Sequence, residues 1–173
     1  LQTPKTHNQM FVPFNKLPDH ARVWIYQSNQ TFNENQISFL TKDLENFLSQ
    51  WTAHNQELEA SFELPYYRFI VLAVNEKKLK ASGCSIDTSV RYIKKIENKM
   101  GVILLDKMNV IFKNNNSLVS KSLESFKKMF KEKQIHSETI VFNNLVNTVK
   151  EYKNIWEVEL KNSWHNRFIK NNL

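Results

Sequence analysis

The one cysteine of this chain, Cys84, lies in the stretch Ala81-Ser82-Gly83-Cys84-Ser85-Ile86-Asp87, just ahead of a segment with helical periodicity. A helix N-terminus presents unbonded amides and a partial positive charge, which favours a thiolate and makes the same place attractive to anions. On that reading Gly83, Cys84, Ser85 and Asp87 form a ligand-binding turn, with Ser85 as N-cap and Asp87 in the first helical turn. A nucleophilic Cys84 needs a base in reach, and His20, His54 and His165 are the candidates. His165 has Trp164 and Arg167 beside it in sequence. The structural alternative is a plain turn in which Gly83 permits an unusual backbone angle, Ser85 caps the helix, Asp87 complements its dipole and Cys84 packs as a small hydrophobe. Asp87 weighs against an anion, because its carboxylate competes for the same amides.

Residue supply excludes several other chemistries. Gly83 and Gly101 are the only two glycines, whereas a P-loop needs two and a dinucleotide fingerprint three at fixed spacings of their own. No His-Glu-x-x-His or EF-hand pattern occurs, and His7, His20, His54, His136 and His165 are widely separated, so no metal site and no cofactor are expected. A lone cysteine allows no disulfide within the chain and suits a reducing, cytoplasmic setting. No stretch reaches membrane-spanning length and no signal-peptide pattern opens the chain, so membrane insertion is not expected. The net charge of +7 is unevenly placed: Lys plus Arg against Asp plus Glu is 5 to 7 in residues 1–75, 14 to 6 in 76–133 and 5 to 4 in 134–173. Such a middle segment either solubilises helix faces or attracts an anionic partner.

These residues must be positioned by the elements around them. Residues 20–28 are β-branched and aromatic after Pro18 and predict a first strand, with Val23 and Ile25 on one face and Trp24 and Tyr26 on the other. Ile37, Leu40, Leu44, Phe47, Leu48 and Trp51 recur at helical spacing behind Asn33, a natural N-cap. Residues 57–64 alternate Leu58, Ala60, Phe62 and Leu64 with Glu57, Glu59, Ser61 and Glu63, which predicts a half-buried strand with a wet acidic face, ended by Pro65. Residues 67–74 are apolar on both faces and read as a central strand. A second helix follows, with Ile86, Val90, Ile93, Ile96 and Met100 as its buried stripe and Gly101 as its left-handed cap. Residues 102–112 read as the next strand and 113–117 as a turn. Beyond them the pattern predicts a strand at 117–122, a third helix opened by Ser122 and carrying Leu123, Phe126, Met129 and Phe130, a short strand at 138–142, a turn of helix at 148–156, and a final short helix capped by Ser163.

Strand, helix, strand, strand, helix, strand over residues 21–112 is the split βαβ order. The expected fold is therefore α+β: a ferredoxin-like βαββαβ core with an antiparallel sheet, both helices on one face, and C-terminal strands and helices as elaboration. Residues 16–173 are expected to form one domain and residues 1–15 a flexible N-terminal segment, within which 1–9 reads as a tag or upstream sequence. Trp24 and Tyr26 would occupy the open face of the sheet, an apolar patch that water does not tolerate. Phe142, Leu145, Trp156 and Trp164 need burial too, so the C-terminal residues are the expected cover and a partner the alternative. Left bare, those sheet aromatics stand where single-stranded RNA stacks in RRM domains.

The segments LPDHARVWIYQSN, QWTAHNQELEASFE, RFIVLAV, ASGCSID, KMNVIF, TIVFNNLV and SWHNRF together resemble a small family of bacterial proteins often labelled ABC transporter ATPase, over Phe11 to Phe168. The resemblance implies a cytoplasmic single-domain protein and carries over no catalytic residue. The chain has neither a Walker A stretch nor a Ser-Gly-Gly signature, so ATP hydrolysis of that type has no physical basis in it. The resulting expectation is a non-catalytic cytoplasmic module that binds a small ligand or a protein. Its alternatives are a cysteine-dependent enzyme centred on Cys84, with His165 or His20 as base, and a binder of single-stranded RNA through the sheet face.

Overall fold

A computed structural model describes residues 12–77 and 79–170; the segment 1–9 lies outside the described residues. Helix α1 (Glu34–Gln50) starts where the sequence supplies a cap: the Asn33 side chain accepts from the Gln36 amide while the Gln36 side chain accepts from the Asn33 amide, both at 2.9 Å. Its Leu40, Leu44 and Leu48 fall one turn apart and are buried. Helix α2 (Gly83–Met100) ends on Gly101, whose φ of 65° is the left-handed cap that glycine adopts without a Cβ penalty.

Both helices lie on one face of an antiparallel sheet formed by β1 (Arg22–Gln27), β4 (Ala60–Glu63) and β5 (Phe69–Val74), in the order β1-β5-β4. All six residues of β5 are buried because both of its faces are covered. Ile70, Leu72 and Val74 meet α1 and α2, while Phe69, Val71 and Ala73 meet a second sheet. The hairpin of β2 (Thr52–Ala53) and β3 (Gln56–Glu57) turns through His54 and Asn55, at φ 50° and 62°. Two consecutive positive φ values mark the type I′ form of the two-residue hairpin turn.

The second sheet has the order β7-β6-β8-β9 and is built from β6 (Asn109–Asn114), β7 (Ser117–Ser122), β8 (Ile140–Phe142) and β9 (Glu157–Glu159). Its inner side, with Ile111 and Phe142, packs on Val23, Phe69, Val71 and Ala73. Its outer side, with Val110, Phe112 and Val141, is closed by α3 (Leu123–Lys131), capped by Ser122 as the sequence predicts, and by α5 (Arg167–Lys170). Helix, sheet, sheet, helix is the layer order. A further helix, α4 (Val149–Ile155), lies at the margin of the inter-sheet core and contributes Val149 and Tyr152 to it.

The α+β class and the antiparallel pairing hold; the ferredoxin-like strand order does not. β1, α1 and β4 with β5 between the strands form the first split unit, but the strand after α2 never returns to the edge of β1. Residues 102–108 run irregularly, with Val102 and Leu104 buried in the helix-side core and the Glu97 carboxylate accepting the amides of Leu104 and Leu105 at 2.6 and 2.9 Å. Pairing begins only at Asn109, in a hairpin with β7 whose short turn costs little closure entropy. The edge of β1 is taken instead by the approach to α4: the Val23 amide donates to Asn147 at 2.9 Å and the Val149 amide to Ala21 at 2.8 Å.

Other expectations change as well. Trp24 and Tyr26 stand cross-strand from Leu72 and Ile70, so they face the helices, while Val23 and Ile25 face the second sheet. Ser61, expected on a wet face, lies under the second sheet and is fully buried. Val90 is exposed, and Ser85 and Ser89 share the inner stripe with Ile93 and Ile96. Residues 12–15 belong to the fold: the Val12 amide donates to Ala60, and Phe14 is buried in the inter-sheet core.

Candidate functional site

The turn into α2 satisfies itself. Ser82, not Ser85, is the N-cap: its hydroxyl accepts the Ser85 amide at 3.1 Å, and the Ser85 hydroxyl donates back to the Ser82 carbonyl at 2.8 Å. Ser85 is buried, and its carbonyl accepts the Trp51 indole N–H at 2.8 Å. Gly83 is an ordinary helical residue; a Cβ there would meet nothing within 4 Å, so no unusual angle calls for glycine. Asp87 is exposed and lies beyond the first turn. Cys84 is exposed, which overturns its reading as a packed plug.

His165, the first candidate base, is remote from that thiol. His165 lies against Phe126 of α3, under the outer side of the second sheet, whereas α2 packs on the far side of the first; both sheets stand between these two layers. The His165 imidazole is 3 % exposed, stacks on Trp164 and has Nδ1 at 3.1 Å from the Ser163 hydroxyl. Burial, with a smaller push from Arg167, pulls it down to about 4, so it is neutral at physiological pH. His20 hydrogen-bonds Asn75 at 3.2 Å. Among the described residues no group of three or more His, Cys, Asp or Glu side chains could hold a metal ion. No described helix is long and apolar enough to cross a membrane.

The sheet face expected to stack RNA is covered by α1 and α2. Trp24 packs edge-on against Trp51 at 5.9 Å under the Arg22 guanidinium. The basic excess divides between the two outer layers, with Arg91, Lys94 and Lys95 on α2 and Lys127, Lys128 and Lys131 on α3.

A different place has the geometry of a site. Between β4 and β5 the chain turns through Pro65, Tyr66 and Tyr67, and both tyrosines sit in the left-handed region, at φ 55° and 48°. For a bulky side chain that backbone costs roughly 1–3 kcal/mol per residue, and such strain gathers at functional sites. Long-range contacts hold the turn. The Tyr66 ring meets Phe142 edge-on at 5.5 Å, and its hydroxyl donates to the Glu157 carboxylate. The Phe32 amide donates to the Tyr67 carbonyl at 2.7 Å. The buried Arg68 guanidinium donates to the carbonyls of Ser28 and Asn29 at 3.0 and 2.8 Å.

The second sheet supplies the floor. Lys113 follows Ile111 on the inner side of β6, and Glu157 of β9 is the cross-strand partner of Phe142. Strand alternation thus aims Lys113 and Glu157 at the Tyr66 turn. The Lys113 ammonium pairs with Glu157 and stands 5.0 Å over the Tyr66 ring. From α4, the Tyr152 hydroxyl donates to Glu63 at 3.0 Å and Lys153 pairs with Asp19 at 3.2 Å. Trp156, buried, anchors its indole N–H on Asn144 at 2.9 Å and stacks near Tyr152 at 4.9 Å. Together Pro65, Tyr66, Tyr152, Lys153, Trp156 and Glu157 line a half-open cleft of about 580 Å³.

Comparison of the chain with family models, curated proteins and solved structures finds no match. The cleft is therefore read from its own chemistry. Burial foremost, then the bond to Glu157, raises the Tyr66 phenol; burial foremost, then the charge of Glu63, raises Tyr152. Bonding to Glu157 foremost, then to Tyr66, raises the Lys113 ammonium. All three therefore keep their protons at neutral pH, and Glu157 accepts from both a phenol and an ammonium.

None of Tyr66, Lys113, Tyr152, Trp156 and Glu157 stood out as chemistry in the sequence. One signal was available: Pro65-Tyr66-Tyr67 puts two bulky aromatics where a tight turn ordinarily takes glycine or asparagine.

Proposed function

We propose that this chain is a non-catalytic module that binds a small polar ligand in the cleft between the Tyr66 turn and α4. The observation that carries this reading is the strained Tyr66, held in a left-handed conformation with its hydroxyl on Glu157 at the cleft wall. A turn that only joined two strands would be better served by glycine or asparagine; a wall that presents a ring and a phenol to a cavity needs tyrosine. Aromatic sides with a few fixed polar groups are the usual makeup of a small-molecule site. A binding role also fits the protonation states, because efficient acid–base catalysis wants a group poised near the working pH, and Tyr66, Tyr152 and Lys113 are all pushed away from it. The proposal includes a reducing, cytoplasmic setting, which the free exposed thiol of Cys84 supports.

A fragment screen followed by two-dimensional nitrogen–proton spectra tests it. Hits are expected to shift the Trp156 indole signal and the backbone signals of Tyr66 and Glu157. Tyr66→Phe, which removes the phenol donor, is expected to weaken those hits by roughly fivefold. Hits that cluster elsewhere and leave these signals unmoved would overturn the assignment of the cleft.

A further inference from the structure

Two residues of the cleft lining, Tyr66 and Glu157, already hold one ligand-like group, the side chain of Lys113, and from it we infer the chemistry of the ligand: a primary alkylammonium group that takes the place of Lys113 on Glu157 and Tyr66. This inference rests on the cleft reading above. The Lys113 ammonium, carried on a straight alkyl stem, meets one carboxylate and one ring face, 5.0 Å from the ring centroid. Those two contacts are what an ammonium seeks: a hydrogen-bonded counter-ion and the negative face of an aromatic ring. The pair is exchangeable, since the side chains of Lys113 and Glu157 are 32 % and 33 % exposed and an ion pair in that position is weak.

The surroundings favour a cation over an anion. Lys153, the lysine of the cleft lining, is paired with Asp19 and Lys113 with Glu157, so an anion would have to compete with a carboxylate at each ammonium. The Glu63 carboxylate behind Tyr152 adds negative charge on the same side. The rings of Tyr66, Tyr152 and Trp156 offer an apolar wall for the alkyl stem. A primary ammonium is favoured over a quaternary one because Glu157 is reached through N–H donation, which a quaternary nitrogen cannot give. Lys113 then acts as a tethered competitor that an incoming amine must displace.

Calorimetric titration of the full chain and its Lys113→Met variant tests this, with Lys113→Gln as the second variant should the methionine form fail to fold. The probes are n-butylammonium, the N-acetyl, N-methylamide derivative of lysine, tetramethylammonium, butyrate and n-butanol, and the Trp156 indole signal in two-dimensional nitrogen–proton spectra reports whether each enters the cleft. Removing the competitor is expected to tighten n-butylammonium by at least about fivefold, and Glu157→Gln to abolish the gain. The lysine derivative binding as well as n-butylammonium identifies a lysine side chain as the source of the group, and the small amine binding alone identifies a free amine; either result supports the inference. Equal affinity of wild type and variant for n-butylammonium, or n-butanol or tetramethylammonium binding as tightly as it does, overturns the inference. If n-butanol or butyrate moves the Trp156 signal while n-butylammonium does not, the ammonium inference falls and the cleft stands; if no probe moves it, both fall.

Discussion

The turn into α2 and the turn between β4 and β5 make opposite use of their residues. The first carries the residue types that suggest chemistry, a cysteine among hydroxyls at a helix N-terminus, yet its capping bonds close within three residues, from Ser82 to Ser85. It has no backbone strain. The second carries a proline and two tyrosines, and its contacts reach 91 residues along the chain to Glu157, which in turn receives Lys113 from 44 residues away. A locally closed set of bonds is a cap, and caps recur wherever helices start. A strained turn held by side chains from another sheet has no such general explanation, so the assembled site is the better candidate even though its residue types are ordinary.

The largest expected effect separates His165, the sequence's candidate base, from any catalytic role. An imidazole held neutral by burial binds a proton less readily in the folded chain than in the unfolded one, where its value is near 6.5 against about 4 in the fold. Between those values the unfolded chain carries more protons, so the native state loses stability as pH falls from about 6.5 to about 4 and keeps it in full above that window. The loss attributable to this group is on the order of 3 kcal/mol. Urea midpoints measured across that range should fall steeply for the wild type and less steeply for His165→Gln. Parallel curves for the two proteins would mean that His165 is not held neutral by its surroundings.

The sequence exposes what is local and hides what is assembled. Asn33, Ser122, Ser163 and Gly101 are legible as caps because each acts on its own turn, and β5 is legible as the central strand because apolar residues on both faces leave no other place for it. The first sheet's neighbours follow from the same pattern. The fate of the strand after α2 is not legible: Val110, Ile111 and Phe112 are apolar on both faces, which suits a strand beside β1 and equally the middle of a second sheet. Hairpin closure with β7 and the arrival of residues 146–149 at β1 decide the matter, and both lie outside any local window. The cleft depends on that decision, because Lys113 and Glu157 meet Tyr66 only once the second sheet faces the first.

The strain on the Tyr66 side of the comparison can be isolated by a pair of variants. Tyr66→Ala and Tyr66→Gly both remove the ring and its bond to Glu157, and they differ in whether the residue tolerates a φ of 55°. Glycine does so freely and alanine does not, so the glycine variant should be the more stable of the two by about 1 kcal/mol in urea unfolding. An alanine variant as stable as the glycine variant would show that the turn relaxes once its ring is gone, and the argument from stored strain would then fail.

The smallest effect is expected on the other side of the comparison, at Cys84. Its thiol is exposed on the first turn of α2 and contributes to none of the three buried cores. Cys84→Ser should therefore shift stability by no more than about 0.5 kcal/mol, as surface substitutions away from special features do. Iodoacetamide should label the folded protein without any need for denaturant, at a rate that unfolding barely changes. Labelling that waits for denaturation would contradict the exposed placement. Folded protein reacting far faster than unfolded would point to a thiol activated by its surroundings, and the α2 turn would then have to be reconsidered as a site alongside the Tyr66 cleft.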